Sequence, residues 1–126
     1  MAERDVTGDA LGGTAGPAGS VALEDRDGAA VLRVDGALDL ALAPKLRRLA
    51  ERAARSEAAL LVIDLTAVTF LASAGMAELV RAHRGLTSPA QLRVVASGRI
   101  TLRPLELTRL TDEFAIYPSL SEALAP

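Results

Sequence analysis

Apolar and polar positions alternate along the chain in two different rhythms, and the switching between them predicts strands interleaved with helices. Val21–Glu24 and Ala29–Val34 are apolar-leaning runs separated by Asp25-Arg26-Asp27-Gly28, whose Asp-Gly step is a hairpin signal. From Leu42 to Arg55 the apolar residues Leu42, Leu46, Leu49 and Ala53 recur at helical spacing, with Pro44 acceptable in a first turn. Leu60-Leu61-Val62-Ile63 is continuous and partly β-branched, as in a strand covered on both faces, and Asp64 is expected to end it.

A second apolar patch, Val68–Leu71, precedes Ala72-Ser73-Ala74-Gly75, after which Met76, Leu79 and Val80 open another helical pattern. Gly85, Ser88 and Pro89 break that helix. Leu92–Ala96 reads as a strand, and Ile100–Leu110 as a short helix with Pro104 in its first turn. Phe114–Tyr117 reads as a last strand, and Pro118–Leu124 as a terminal helix whose Ser119 and Glu122 have capping-box spacing. Strands alternating with helices predict βαβ units: a mixed sheet of about four or five strands with its helices packed on one face.

Composition narrows what such a domain does. With 126 residues, the chain has room for one domain with a genuine core. Residues 1–20 are rich in glycine and alanine and lack any period, so they are expected to form a disordered tail ahead of a domain over residues 21–126. Aromatic residues make up 2% of the chain, which leaves few platforms for stacking bases, and the net charge of −2 disfavours a phosphate backbone as partner. No cysteine is present, so disulfides, thiolate metal sites and cysteine nucleophiles are excluded together.

Ala58–Ala77 carries one formal charge, Asp64, but a central aspartate costs about 2.5 to 3.5 kcal/mol in a membrane span. The reading is therefore of a chain without a membrane partner. No apolar run of signal length precedes Val21, so a cytoplasmic location is expected.

Candidate chemistry converges on Ser73, where a loop becomes a helix. The first turn of a helix offers unpaired N–H groups and the positive end of its dipole, which suits a phosphate; the plainer reading is that the Ser73 hydroxyl caps the helix. A hydrolase elbow requires Gly-x-Ser-x-Gly, but the first position here is Leu71. The single histidine, His83, lies about 15 Å further along the same helix, beyond the reach of a general base.

Asp25, Asp27, Asp35 and Asp39 lack the ligand count and terminal glutamate of a calcium loop and read as turn residues, so no metal, cofactor or catalytic role is assigned. Lys45, Arg48, Arg52 and Arg55 form one basic stripe on the first helix. Such stripes are usually solvated faces; docking against an acidic partner surface is the other reading.

Asp64-Leu65 followed by Phe70-Leu71-Ala72-Ser73-Ala74-Gly75-Met76 resembles the central motif of the STAS family, named for sulfate transporters and anti-sigma factor antagonists, with Ala72 where the family has aspartate. Gly36-Ala37-Leu38-Asp39 resembles the Gly-Glu-Leu-Asp turn of that family, and Leu105–Leu124 its C-terminal segment, with Arg109 in place of a glycine. A left-handed non-glycine residue there costs roughly 1 to 2 kcal/mol, so a reshaped helix end is expected.

The resemblance implies a non-enzymatic anti-sigma factor antagonist that binds an anti-sigma factor serine kinase when unphosphorylated and releases it on phosphorylation of Ser73. It also implies partner contacts through Asp39, Ala72, Ser73, Ala74, Gly75 and Met76. The alternative is a STAS domain whose switch has degenerated, acting as a constitutive scaffold or small-ligand module. The sequence sets neither the kinase nor the oligomeric state.

Overall fold

The computed structural model describes residues 19–126; of the tail expected over residues 1–20, residues 1–18 lie outside the described residues. Strands β1 (Ser20–Arg26) and β2 (Ala29–Leu38) form the expected antiparallel pair. Asp27 at φ 53° and Gly28 at φ 87° both adopt the left-handed region, which a tight two-residue hairpin turn demands. Helix α1 (Ala43–Ala54) leads to β3 (Leu60–Leu71), and α2 (Ser73–Gly85) to β4 (Gln91–Val95). A wide helical turn, Gly98–Leu102, runs into α3 (Arg103–Leu107) before β5 (Ala115–Tyr117) and α4 (Leu120–Leu124).

The five strands lie in sequence order, with β2 to β5 mutually parallel. Successive right-handed crossovers in one direction put their helices on one face of such a sheet. Leu46 of α1, Leu79 of α2 and Leu105 of α3 accordingly meet Leu32, Ile63 and Val94 in the main core. The opposite face carries a smaller cluster, Val31, Val62 and Val95, which Ala123 of α4 covers. The terminal helix thus adds a second, minor layer to the one-faced arrangement.

Two local expectations change. The β3 strand runs through Asp64 to Leu71 instead of stopping there, because the buried carboxylate is satisfied locally: its Oδ1 accepts from the Thr66 backbone N–H at 2.9 Å and from the Thr66 hydroxyl. The end of α3 is not reshaped around Arg109, which takes the left-handed conformation itself, at φ 62°.

An ion pair between a buried carboxylate and an exposed guanidinium ties α1 to α2. Glu78 is 4% exposed and receives the Arg47 guanidinium through Nη2 at 2.7 Å and Nε at 3.1 Å, with Arg81 Nε at 3.3 Å. This hydrogen bonding, and then the carboxylate's charge, raise the Arg47 pKa above its ordinary value.

Helix α4 has five residues, too few to be stable alone. Arg93 of β4 holds its end, Nη1 donating to the carbonyls of Ala123 at 2.8 Å and Ala125 at 3.0 Å, with the guanidinium 5.5 Å from the Tyr117 ring centroid. Arg93→Ala is expected to lower stability by about 1 to 3 kcal/mol in urea titrations. Amide exchange should accelerate at Ala123 and Ala125 while the β2–β3 amides keep their protection; equal acceleration in both places would refute this anchoring role.

Candidate functional site

Because β2 and β3 are parallel, both chains leave the sheet at the same edge, with Leu38 paired to Leu71. The two loops that follow are joined directly: the Ala72 N–H donates to the Leu38 carbonyl at 3.0 Å. One loop turns at Asp39, whose Oδ1 accepts from the N–H groups of Ala41 and Leu42, both at 3.1 Å. Its backbone carbonyl takes the Ala43 N–H at 2.9 Å. Asp39 therefore starts α1 as a turn residue, as its type suggests. The other loop is short: Ala72 alone separates β3 from α2.

The residue that caps α2 is Ala72, in extended conformation at ψ 165°, and no side chain completes the cap. Ser73 is the first helical residue and not the cap, so the expectation that its hydroxyl caps the helix is corrected. Ser73 is exposed, and no hydrogen bond engages its hydroxyl among the described residues. The Gly75 and Met76 amides both go to the Ala72 carbonyl, at 3.0 and 3.1 Å, while those of Ser73 and Ala74 find no acceptor among the described residues. An exposed hydroxyl thus stands beside open N–H donors at the positive end of a helix.

Gly75 is buried beneath this surface. A Cβ built on it would lie 2.6 Å from Leu38 Cγ and 2.8 Å from the Leu38 carbonyl oxygen, so β2 closes on α2 only because the side chain is absent. Met76 is half-buried, with its Sδ 3.8 Å from the Thr108 hydroxyl beyond the end of α3. Asp39, Ala72, Ser73, Ala74, Gly75 and Met76 therefore belong to one end of the molecule.

Large apolar side chains gather at that end. Leu40 beside Asp39 is 78% exposed, Phe70 near the end of β3 57%, and Leu107 next to Thr108 67%. Leu40 and Leu107 escaped the sequence reading.

Hydrolytic chemistry finds no support in this arrangement, since His83 lies in the last turn of α2 with its ring 6.0 Å from that of Phe114. Among the described residues, no group of three His, Asp or Glu side chains is placed to hold a metal ion. None of their helices is long and apolar enough to cross a membrane.

Comparison with known proteins agrees with this geometry. The STAS domain model matches residues 20–123. The anti-sigma-F factor antagonist RsfB of Mycobacterium tuberculosis is 34% identical over 105 residues, covering 83% of this chain and 86% of that protein. A crystal structure of an anti-sigma factor antagonist from Mycobacterium paratuberculosis superposes with a TM-score of 0.82 at 37% identity, covering 85% of this chain and 92% of the other. The anti-sigma factor antagonist SpoIIAA in its unphosphorylated form shares the fold, with a TM-score of 0.64 at 14% identity, 82% of this chain and 92% of that one being covered.

The steric fit at Gly75 is testable. Gly75→Ala is expected to destabilise the domain by about 1 to 3 kcal/mol, the range for overpacking a tight contact. Amide chemical shifts should move at Leu38 and Ser73, which lie across the contact. A variant as stable as the parent with unmoved shifts would show that this contact does not set the loop.

Proposed function

The chain belongs to the STAS domain family, and from that premise we propose that it is an anti-sigma factor antagonist that binds an anti-sigma factor serine kinase while unmodified and lets it go when Ser73 is phosphorylated. The observation that carries this reading is the Ser73 hydroxyl: exposed, free of hydrogen bonds among the described residues, and set in the first turn of α2 beside open amides. The relatives named above, anti-sigma factor antagonists of two mycobacteria, support the kind of partner. In this reading the chain regulates transcription by binding and performs no catalysis.

The switch follows from charge and packing. A phosphate brings about −1.5 to −2 charge and three acceptor oxygens. On the free domain it lies in water near the Ser73 and Ala74 amides and the helix dipole, so the fold tolerates it. Inside a docked interface, against the apolar side chains of Leu40, Phe70 and Leu107, the same charge would be desolvated without a counter-ion. That imbalance weakens docking by several kcal/mol.

Ala72 favours a second reading. With alanine where the family motif has aspartate, the cap carries no side-chain acceptor and the unmodified loop one charge fewer. A domain that docks constitutively, without a working switch, fits that change.

Incubation with its anti-sigma factor kinase and ATP is expected to add one phosphate, mapped by mass spectrometry to Ser73 and absent from Ser73→Ala. Ser73→Asp should weaken binding of the same partner at least about tenfold, which is about 1.4 kcal/mol, at unchanged thermal stability. Full affinity in Ser73→Asp would establish the constitutive reading instead. Phe70→Ser, at an exposed position, should reduce affinity without lowering the melting temperature; an unchanged affinity would remove this surface from the interface.

A further inference from the structure

We infer that the outer face of α1 is a second docking element that draws in an acidic surface of the protein partner and lines it up with Ser73; this rests on the function proposed above. Lys45, Arg48, Arg52 and Arg55 are all exposed and recur at intervals of three, four and three residues, so they form one row about 15 Å long.

What distinguishes the row is the lack of carboxylate partners among the described residues. Elsewhere on the domain arginines are consumed by carboxylates: Arg26 and Arg33 by Glu24, Arg84 by Glu113, Arg103 by Glu106 and Arg109 by Asp112. Arg47 and Arg81 share Glu78, and Arg93 holds the carbonyls of α4. Among the described residues, no carboxylate comes within ion-pair distance of Lys45, Arg48, Arg52 or Arg55. Of the other described basic residues, Arg93 and Arg99 also lack a carboxylate partner, but Arg93 is engaged by the α4 carbonyls and Arg99 stands alone in the turn after β4.

Glu51 on the same helix faces Arg47 and contributes to that side chain's raised pKa. It also joins Leu49 in lining a shallow depression rimmed by Arg48, Arg52 and Arg55. Helices α1 and α2 pack side by side, and both begin at the edge that carries Ser73. A protein seated on that edge therefore meets the basic row along its flank.

The chemistry selects a protein with a row of carboxylates over the other polyanions. Residues 19–126 carry equal numbers of basic and acidic side chains although they contain this basic row, so the rest of their surface is acidic and repels a long uniform polyanion such as a nucleic acid. A lipid surface is disfavoured because the apolar face of α1, through Leu46, Ala50 and Ala53, is buried against the sheet and has nothing to insert. A short acidic face, about as long as the row, is the complement that remains.

The experiment measures association with the purified anti-sigma factor kinase by stopped flow at about 50 mM and about 500 mM salt, where screening differs severalfold. Arg48→Glu with Arg52→Glu is compared with Arg26→Glu and Arg84→Glu, which changes the net charge equally. The first pair should lower the association rate at low salt at least about tenfold, with the difference shrinking at high salt, while the second pair stays within about twofold of the parent. The effect of Ser73→Asp on dissociation should persist in both. Should the glutamate pair fold poorly, Arg48→Gln with Arg52→Gln is expected to give a smaller loss of the same kind.

Equal slowing by both pairs, or none by the first, would overturn the inference and leave the Ser73 switch standing. Tight binding of phosphatidylserine vesicles or duplex DNA, lost in the same variant, would overturn the choice of partner. If the unmodified chain binds no anti-sigma factor, the proposed function falls, and this inference with it.

Discussion

The meeting of Leu38 with the first turn of α2 is the contact on which the site depends. Leu38 is fully buried, its carbonyl accepts the Ala72 N–H at 3.0 Å, and its side chain fills the space that Gly75 leaves open. Burying such a leucine is worth about 1.5 to 3 kcal/mol and the hydrogen bond about 1 kcal/mol. Neither figure is large alone. Both act at one point, and that point lies between Asp39, whose turn leads into α1, and the serine that starts α2. Parallel pairing of β2 and β3 brings those loops to the same edge, and the Leu38 contact removes their freedom to separate.

A rigid mounting of this kind separates the effect of charge on the fold from its effect on the surface. The dipole of α2 and its open amides offer a phosphate about 0.3 to 1 kcal/mol at an exposed position. Desolvating an unpaired charge in an interface costs several kcal/mol. That cost exceeds the dipole's help several times over, so the free domain barely registers a modification that a docked complex could not hold. Were the loop mobile, the phosphate could swing out of the interface into water and escape desolvation. Positional rigidity at Gly75 is therefore as much a part of the proposed switch as the hydroxyl itself.

Much of this was legible in the sequence because hydrophobic periodicity reports burial directly. The Leu60–Ile63 run, the Asp27-Gly28 turn and the Ser119 cap, whose hydroxyl accepts the Glu122 N–H at 3.2 Å, all appear as expected. What the pattern misjudged were polar groups whose fate is decided by a specific hydrogen-bond partner, near or distant in sequence, or by a one-residue shift of an element's start. Asp64 looked like a strand end because its type disfavours strands; a threonine two residues on satisfies it. Ser73 looked like a cap, yet the helix begins one residue earlier than a cap at that position requires. Glu78 gave no warning of its burial, since the arginine that accompanies it lies 31 residues away. Within the motif, Gly75 has a physical reason that its residue type allows to be read, since only a residue without a side chain lets Leu38 approach α2.

Arg109 shows how a local penalty survives when a larger gain depends on it. Its left-handed conformation, at φ 62° and ψ 24°, costs a non-glycine residue about 1 to 2 kcal/mol. The turn it makes redirects the chain after α3, so that Phe114, 5% exposed, enters the main core. Burying a phenylalanine returns about 1.5 to 3 kcal/mol. A straightened helix end would relieve the strain but carry Phe114 away from the sheet. Packing beyond the turn therefore outweighs the turn's own preference, and the backbone path that serves the site persists without its glycine.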